Sequence, residues 1–198
     1  VSQVLGEPRV YLAGPDVFLP DPLVRAAAMK AICARHGWVG VSPLDELAAE
    51  PPEWATLSEA QRIHLRNEAH IAGCAALVAN LTPFRGPSAD PGTVFEMGFM
   101  RALGRPVFGY TTTTLPFTER TRAWLGRAES HDAEGLLIEA FGLADNLMLE
   151  GAITASGGKL IAADLPPDRR WTDLSVFEAC IASLSNAYSP DATNPPKE

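Results

Sequence analysis

Ala75-Ala76-Leu77-Val78-Ala79-Asn80-Leu81, then, across a Pro/Gly-rich loop, Ser88-Ala89-Asp90-Pro91-Gly92-Thr93-Val94-Phe95-Glu96-Met97-Gly98, reads as a strand feeding a helix. The first run is almost wholly apolar, as a strand buried on both faces must be. The second predicts an amphipathic helix from roughly Thr93 to Leu103. Two carboxylates bracket its start, Asp90 in the loop and Glu96 about one turn inside. Free N–H groups and the helix dipole favour negative charge there, so a carboxylate is expected to be held ionised and able to act as a nucleophile. The plainer alternative is that Asp90 only caps the helix and Glu96 only complements its dipole.

The same alternation extends in both directions. Arg9 to Ala13 is a short apolar run stopped by Gly14-Pro15-Asp16, a strand entering a tight turn. Leu23 to His36 is helical, with Leu23, Ala27, Ile32 and Cys33 available for one face, and Gly37 closes it. Trp38 to Val41 is the next strand, ended by Ser42-Pro43-Leu44-Asp45. Thr56 with Glu59, or Ser58 with Gln61, offers capping-box spacing for a helix running to about Gly73. Val107 to Tyr110 is a fourth strand, followed by a polar turn from Thr111 to Thr114 and a less regular stretch. A helix near Ala133 to Phe141, a loop-rich Gly151 to Asp168 with a short strand at Lys159 to Ala162, and a last helix over about Thr172 to Tyr188 complete the reading. That helix carries Leu174, Phe177, Ile181 and Leu184 on one face.

Strands alternating with helices predict one α/β domain over residues 1–188, a parallel sheet with helices on both faces. The Pro-rich tail over 189–198 is expected to be loose. Ligands of such sheets bind outside the carboxyl ends of the strands, so Asp16, Asp45, Asp90 and Glu96 are expected along one edge.

Composition narrows the partners. A net charge of −8 with no basic stripe argues against nucleic acid. No apolar run is long enough for a bilayer and no signal-peptide pattern opens the chain, so no membrane partner and a cytoplasmic location are expected. Cys33, Cys74 and Cys180 stand far apart in apolar helical contexts and read as buried free thiols. There is no G-x-G-x-x-G after the first strand, no G-x-x-x-x-G-K-[ST] and no G-x-S-x-G. His36, His64, His70 and His131 are too scattered for a metal and read as surface or locally bonded histidines. Trp38, Trp54, Trp124 and Trp171 read as core or interface. A carboxylate site with aromatic and amide company remains, and it suits cleavage of an N-glycosidic bond through an oxocarbenium-like state.

At this point the sequence resembles the nucleoside 2-deoxyribosyltransferases. Tyr11-Leu12-Ala13-Gly14-Pro15-Asp16-Val17-Phe18, Ser42-Pro43-Leu44-Asp45, Asn67 with Ile71, Asp90 to Gly98, and Asp145-Asn146-Leu147-Met148 follow the family's order over about Val10 to Glu150. The resemblance implies a flavodoxin-like fold and transfer of 2-deoxyribose between nucleobases, in nucleoside salvage, by double displacement without a cofactor. It implies that Glu96 is the nucleophile, Asp90 a carboxylate bonding the sugar hydroxyls, and Tyr11 the group orienting Glu96. Phe18, or Val17, would line the base pocket, and Gly92 falls among the substrate-binding positions. Asn146 and Met148 would reach a neighbouring subunit's site in a dimer-based homo-oligomer, possibly a hexamer. Asn67 stands where well-known members carry an Asp. An amide donates and accepts hydrogen bonds but delivers no proton as an acid, so that proton would come from water, from the base itself or from another carboxylate, for which Asp16 and Asp45 are the candidates. Asn67 also interrupts an apolar stripe between Ile63 and Ile71, so its amide needs a partner or a ligand.

Two alternatives stay open. One is a hydrolase of deoxynucleosides or deoxynucleoside monophosphates, against which Asp16 would repel a phosphate dianion. The other is a non-catalytic nucleoside-binding module.

Overall fold

In the computed structural model, which describes residues 8–188, the chain opens on strand β1 (Arg9–Ala13) and a 3-10 turn (Pro15–Phe18). Helix α1 (Pro22–Arg35), strand β2 (Val39–Val41) and helix α2 (Glu59–Ala72) follow. Next come β3 (Ala76–Asn80), α3 (Pro91–Ala102), β4 (Val107–Thr111) and α4 (Phe117–Leu125). The last described elements are α5 (Leu147–Ala155), β5 (Leu160–Ala162) and α6 (Ser175–Ala187). The five strands form one parallel sheet in the order β2-β1-β3-β4-β5. The order reverses between β1 and β3, so the crevice for a ligand lies beyond their carboxyl ends.

Period-two alternation along the strands divides the core. Val10, Leu12, Val78, Phe108 and Tyr110 pack with Met29, Ile32 and Cys33 of α1 and Phe177, Ile181 and Leu184 of α6. Tyr11, Ala13, Leu77, Ala79 and Val107 face the other way, onto Ile71 of α2, Met97 and Met100 of α3, and Leu149 and Ile153 of α5. That parity sends Tyr11 toward α3. The three cysteines are free and buried, and burial pushes the Cys33 and Cys74 thiols up to about 12 and about 11.

Several expectations are corrected. On α1 the inward face is Arg25, Met29, Ile32 and Cys33, whereas Leu23 and Ala27 face solvent. Ser58 and Gln61 form the capping box of α2, while Thr56 closes a 3-10 turn. Residues Ala133 to Phe141 are not helical. The Asp132 carboxylate accepts Glu134 N and Leu136 N, and Gly135 takes a left-handed φ of 83°, local bonding that competes with a helix. Helix α4 lies in the stretch read as irregular, because Pro116 at its N-cap supplies no side-chain cap and hence no start signal. Helix α5 occupies part of the stretch read as loop, with Gly151 tolerated in its interior. The tail from Ser189 lies outside the described residues.

Two glycines after β4 test this packing. A Cβ on Gly158 would stand 1.9 Å from the Val107 carbonyl oxygen, whereas one on Gly151 meets nothing within 4 Å. Gly158→Ala is expected to cost about 1–3 kcal/mol through backbone displacement. Gly151→Ala should add up to about 1 kcal/mol through helix propensity. Thermal melts of the two variants check this, the first falling below wild type and the second rising above it.

Candidate active site

The Tyr11 hydroxyl donates a 2.6 Å hydrogen bond to Glu96 Oε1, joining the middle of β1 to the middle of α3. Glu96 is the sixth residue of the helix, not a member of its first turn, and is 9% exposed. The expectation that the helix start holds it ionised is therefore corrected. Burial pushes its carboxyl up to about 7; the Tyr11 hydroxyl pulls it down and the Asp90 charge raises it further. Burial first, and then the Glu96 charge, push the Tyr11 phenol far above its ordinary range, so it stays a donor. Among the described residues Glu96 Oε2 takes no hydrogen bond, and it is not sealed from solvent.

Glu96 forms part of the wall of a cavity of about 250 Å³ between α2 and α3. Gly92 and Phe95 of α3 share that wall with His64, Asn67, Glu68 and Ile71 of α2. The Asn67 Oδ1 atom is buried without a hydrogen-bond partner. A sealed amide oxygen of this kind is destabilising unless something enters to meet it. Ile63, at the other end of the expected stripe, is 44% exposed.

Asp90 caps α3, its Oδ2 accepting Thr93 N at 3.0 Å and Thr93 Oγ1 at 3.2 Å. Its Oδ1 takes no hydrogen bond from the described residues, so capping uses one oxygen and leaves the other. Asp90 borders a second hollow of about 470 Å³ along residues 84–91. A buried pair fixes that loop. Asp145 accepts Ser88 Oγ and Ala89 N, and Arg120 donates to the Pro87, Leu115 and Ala144 carbonyls as well as to Asp145. Sequence reading passed over Arg120 because α4 carried no start signal, and read Asp145 only as part of a motif.

The remaining candidates lie elsewhere. Asp16 accepts Arg25 Nε at 2.9 Å and Asn80 Nδ2 at 2.8 Å, so it anchors the turn after β1 and its charge is neutralised. The repulsion of a phosphate expected from Asp16 loses its basis. Asp45 accepts Ser42 N and pairs with Lys30, while its carbonyl meets His70 Nε2. Neither Asp16 nor Asp45 lines the Glu96 cavity, which removes both as proton donors there. Phe18 stacks on Phe84 at 5.3 Å beside a hollow of about 310 Å³ that also includes Arg85 and Trp171. The Arg85 guanidinium lies over both rings, and Arg85 takes a left-handed φ of 54°. Trp171 meets Phe84 edge-on, a surface role its sequence context did not signal. Asn146 caps α5 by accepting Met148 N, and its Nδ2 donates to Glu139 Oε2. Met148 is 69% exposed beside exposed Leu147, and neither lines the Glu96 cavity.

No helix among the described residues is long and apolar enough to cross a membrane. Residues 10–148 match the family described as nucleoside 2-deoxyribosyltransferase. An uncharacterised protein of Schizosaccharomyces pombe is 32% identical over 173 residues, covering 79% of this chain and 82% of its own. The solved 2-desoxiribosyltransferase from Leishmania mexicana is 34% identical, with a TM-score of 0.57 over 72% of this chain and 85% of that one. A conserved protein from Enterococcus faecalis, 21% identical with a TM-score of 0.50 over 80% of this chain and 92% of that one, shares the fold. The match takes in Tyr11, Asn67, Asp90, Glu96 and Asn146 alike, and the chain belongs to the nucleoside 2-deoxyribosyltransferase family.

Proposed function

We propose that the protein transfers 2-deoxyribose from one nucleobase to another through a covalent deoxyribosyl-Glu96 ester. The observation that carries this reading is the bonded Tyr11–Glu96 pair on the wall of a cavity that also holds an unpartnered amide oxygen. Glu96 Oε2 attacks the anomeric carbon while the bond to the leaving base breaks, its electron pair passing to the base nitrogen. The acceptor base then attacks the same carbon and the carboxylate departs. Two inversions give retention. Tyr11 occupies Oε1 and so presents Oε2 to the sugar. Asp90 Oδ1 is available to a sugar hydroxyl, and the Asn67 amide to the base. Among the described residues no lysine or arginine lines the Glu96 cavity, which favours free nucleosides over nucleotides. Phe18 with Phe84 offers stacking surface at the crevice mouth.

The second copy expected from the resemblance suits the exposed apolar surface of Leu136, Leu137, Phe141, Leu147 and Met148. Asn146 and Met148 are proposed to complete a neighbouring site from there. Three buried free thiols suit a reducing compartment such as the cytoplasm.

Brief exposure to a 2-fluorinated deoxynucleoside should leave a deoxyribosyl-type adduct, located on the Glu96 peptide by mass spectrometry. Deoxyadenosine supplied with cytosine should yield deoxycytidine, with little free sugar; free sugar alone would mark a hydrolase. Glu96→Ala should lower transfer by about 10⁴-fold or more while the fold persists. Activity within a few-fold of wild type would remove Glu96 from the role.

The raised carboxyl of Glu96 gives two pH signatures. Only the ionised form attacks, so kcat/KM for deoxyadenosine should climb with pH through about 7. The folded state also holds a proton there that the unfolded chain has released. The stabilisation from Glu96 is therefore present below the ordinary carboxyl range and is lost as pH rises through about 7. Glu96→Gln, which can still accept from Tyr11, should melt progressively higher than wild type between pH 5 and pH 8. A constant difference in Tm across that range would refute the assignment of the raised group.

Mixing inactive Glu96→Ala and Asn146→Ala chains tests the shared site. Hybrid oligomers should regain part of the activity; no recovery, with subunit exchange shown by mass spectrometry, would place Asn146 in its own subunit's structure only.

A further inference from the structure

Asn67 cannot protonate a departing base, and Asp16 and Asp45 are occupied away from the cavity. The proton needs another source. On the same wall stand His64, about one turn before Asn67 along α2, and Glu68, the residue directly after it. Their side chains form a pair at the i, i+4 spacing, His64 Nε2 lying 3.4 Å from Glu68 Oε1. The imidazole also rests against Phe95 of α3, with ring centroids 5.8 Å apart. Phe95 directly precedes Glu96, and His64, Phe95 and Glu96 line the same cavity.

From this arrangement we infer that His64, oriented by Glu68, is the general acid that protonates the leaving base and the general base that receives the proton of the incoming one. The inference rests on the deoxyribosyl-transfer reading. The titratable groups facing the imidazole are Glu68 on its own helix and Glu96 in the same cavity, with Asp90 near Glu96. With the Glu68 carboxylate at Nε2, the other ring nitrogen is left to exchange a proton with the base. The step balances without a further reactant. As Glu96 Oε2 bonds to the anomeric carbon, the C–N electron pair moves onto the base, and the imidazolium proton passes to a ring nitrogen of that base. Imidazole is left neutral. In the second half the incoming base loses its N–H proton to the imidazole as its nitrogen bonds to the anomeric carbon and the Glu96 ester breaks. Asn67, between the two on the helix, can then bond the base without being its acid.

The test compares two donors on wild type, His64→Gln and Glu68→Gln. Deoxyadenosine needs a proton on its base to leave readily. The base of 7-methyl-2′-deoxyguanosine is already cationic and leaves neutral. In single-turnover release of the donor base, which reads the first half-reaction alone, His64→Gln should slow deoxyadenosine by about 100-fold and leave the methylated donor nearly unchanged. Glu68→Gln should show the same pattern with a smaller loss. His64 is largely exposed, so its replacement does not threaten the fold. Equal losses on both donors, or none on deoxyadenosine, would overturn the assignment. A Glu96→Gln chain separates the two levels of inference, since it should fail on both donors if the covalent reading holds. If Glu96→Gln turned over the methylated donor as wild type does, the covalent reading would fall whatever His64 did. Wild type inert to both donors would remove both.

Discussion

A phenol and a carboxylate meeting inside the protein set the terms for the rest of the site. Glu96 is nearly buried, and an ionised carboxylate there is costly unless hydrogen-bonded. Tyr11 supplies that bond at 2.6 Å, and only because β1 alternates so that Tyr11 faces α3 while Val10 and Leu12 face α1 and α6. Slipping the β1–β3 register by one residue, Tyr11 no longer beside Leu77, would turn the hydroxyl to the wrong side of the sheet. The strand pairing is thus a condition of the Tyr11–Glu96 contact as well as of the fold.

Around that contact the crevice is fixed by polar groups that never face the Glu96 cavity. The Asp16–Arg25–Asn80 set holds the turn that carries Phe18, with Gly14 beside it because a Cβ there would come within 2.8 Å of Asn80. The Arg120–Asp145 pair holds the loop that delivers Asp90. Burial of Arg120 lowers its pKa while the Asp145 charge opposes that shift, and its carbonyl bonds satisfy most of the guanidinium. Both sets act as buried polar networks whose members are largely satisfied, the condition under which such networks rigidify a site.

The strand–helix alternation was legible because apolar runs of the right length and breakers such as Gly14-Pro15 and Gly37 act locally. Asp90 was legible for the same reason, being the N-cap of α3, whereas Glu96, expected near the same helix start, lies beyond its first turn. What escaped depends on distant partners. Asp16 and Asp45 look alike in sequence as acidic residues after strands, but Arg25 and Lys30, which occupy them, come from α1 and cannot be paired with them by spacing alone. Residues Ala133 to Phe141 have helical composition, yet Asp132 and Gly135 bend them into a turn. His64 resembled any surface histidine until α3 brought Phe95 to it.

Under the proposed covalent reading, the value near 7 for Glu96 has a consequence, since the carboxylate must then both attack and leave. Greater basicity helps the first displacement, since a more basic oxygen bonds more strongly to an electron-poor anomeric carbon. The same basicity hinders the second, in which that oxygen must depart with its electrons. Complete desolvation would favour one half-reaction at the expense of the other. Tyr11 moderates this, because its hydrogen bond stabilises the charged carboxylate most and the ester least. It therefore returns, as the ester breaks, the stabilisation it withholds as the ester forms. A transfer between two bases of similar basicity is nearly symmetric, and a symmetric reaction runs best with neither displacement much harder than the other. Burial pushing one way and a phenol pulling the other is an arrangement suited to that balance.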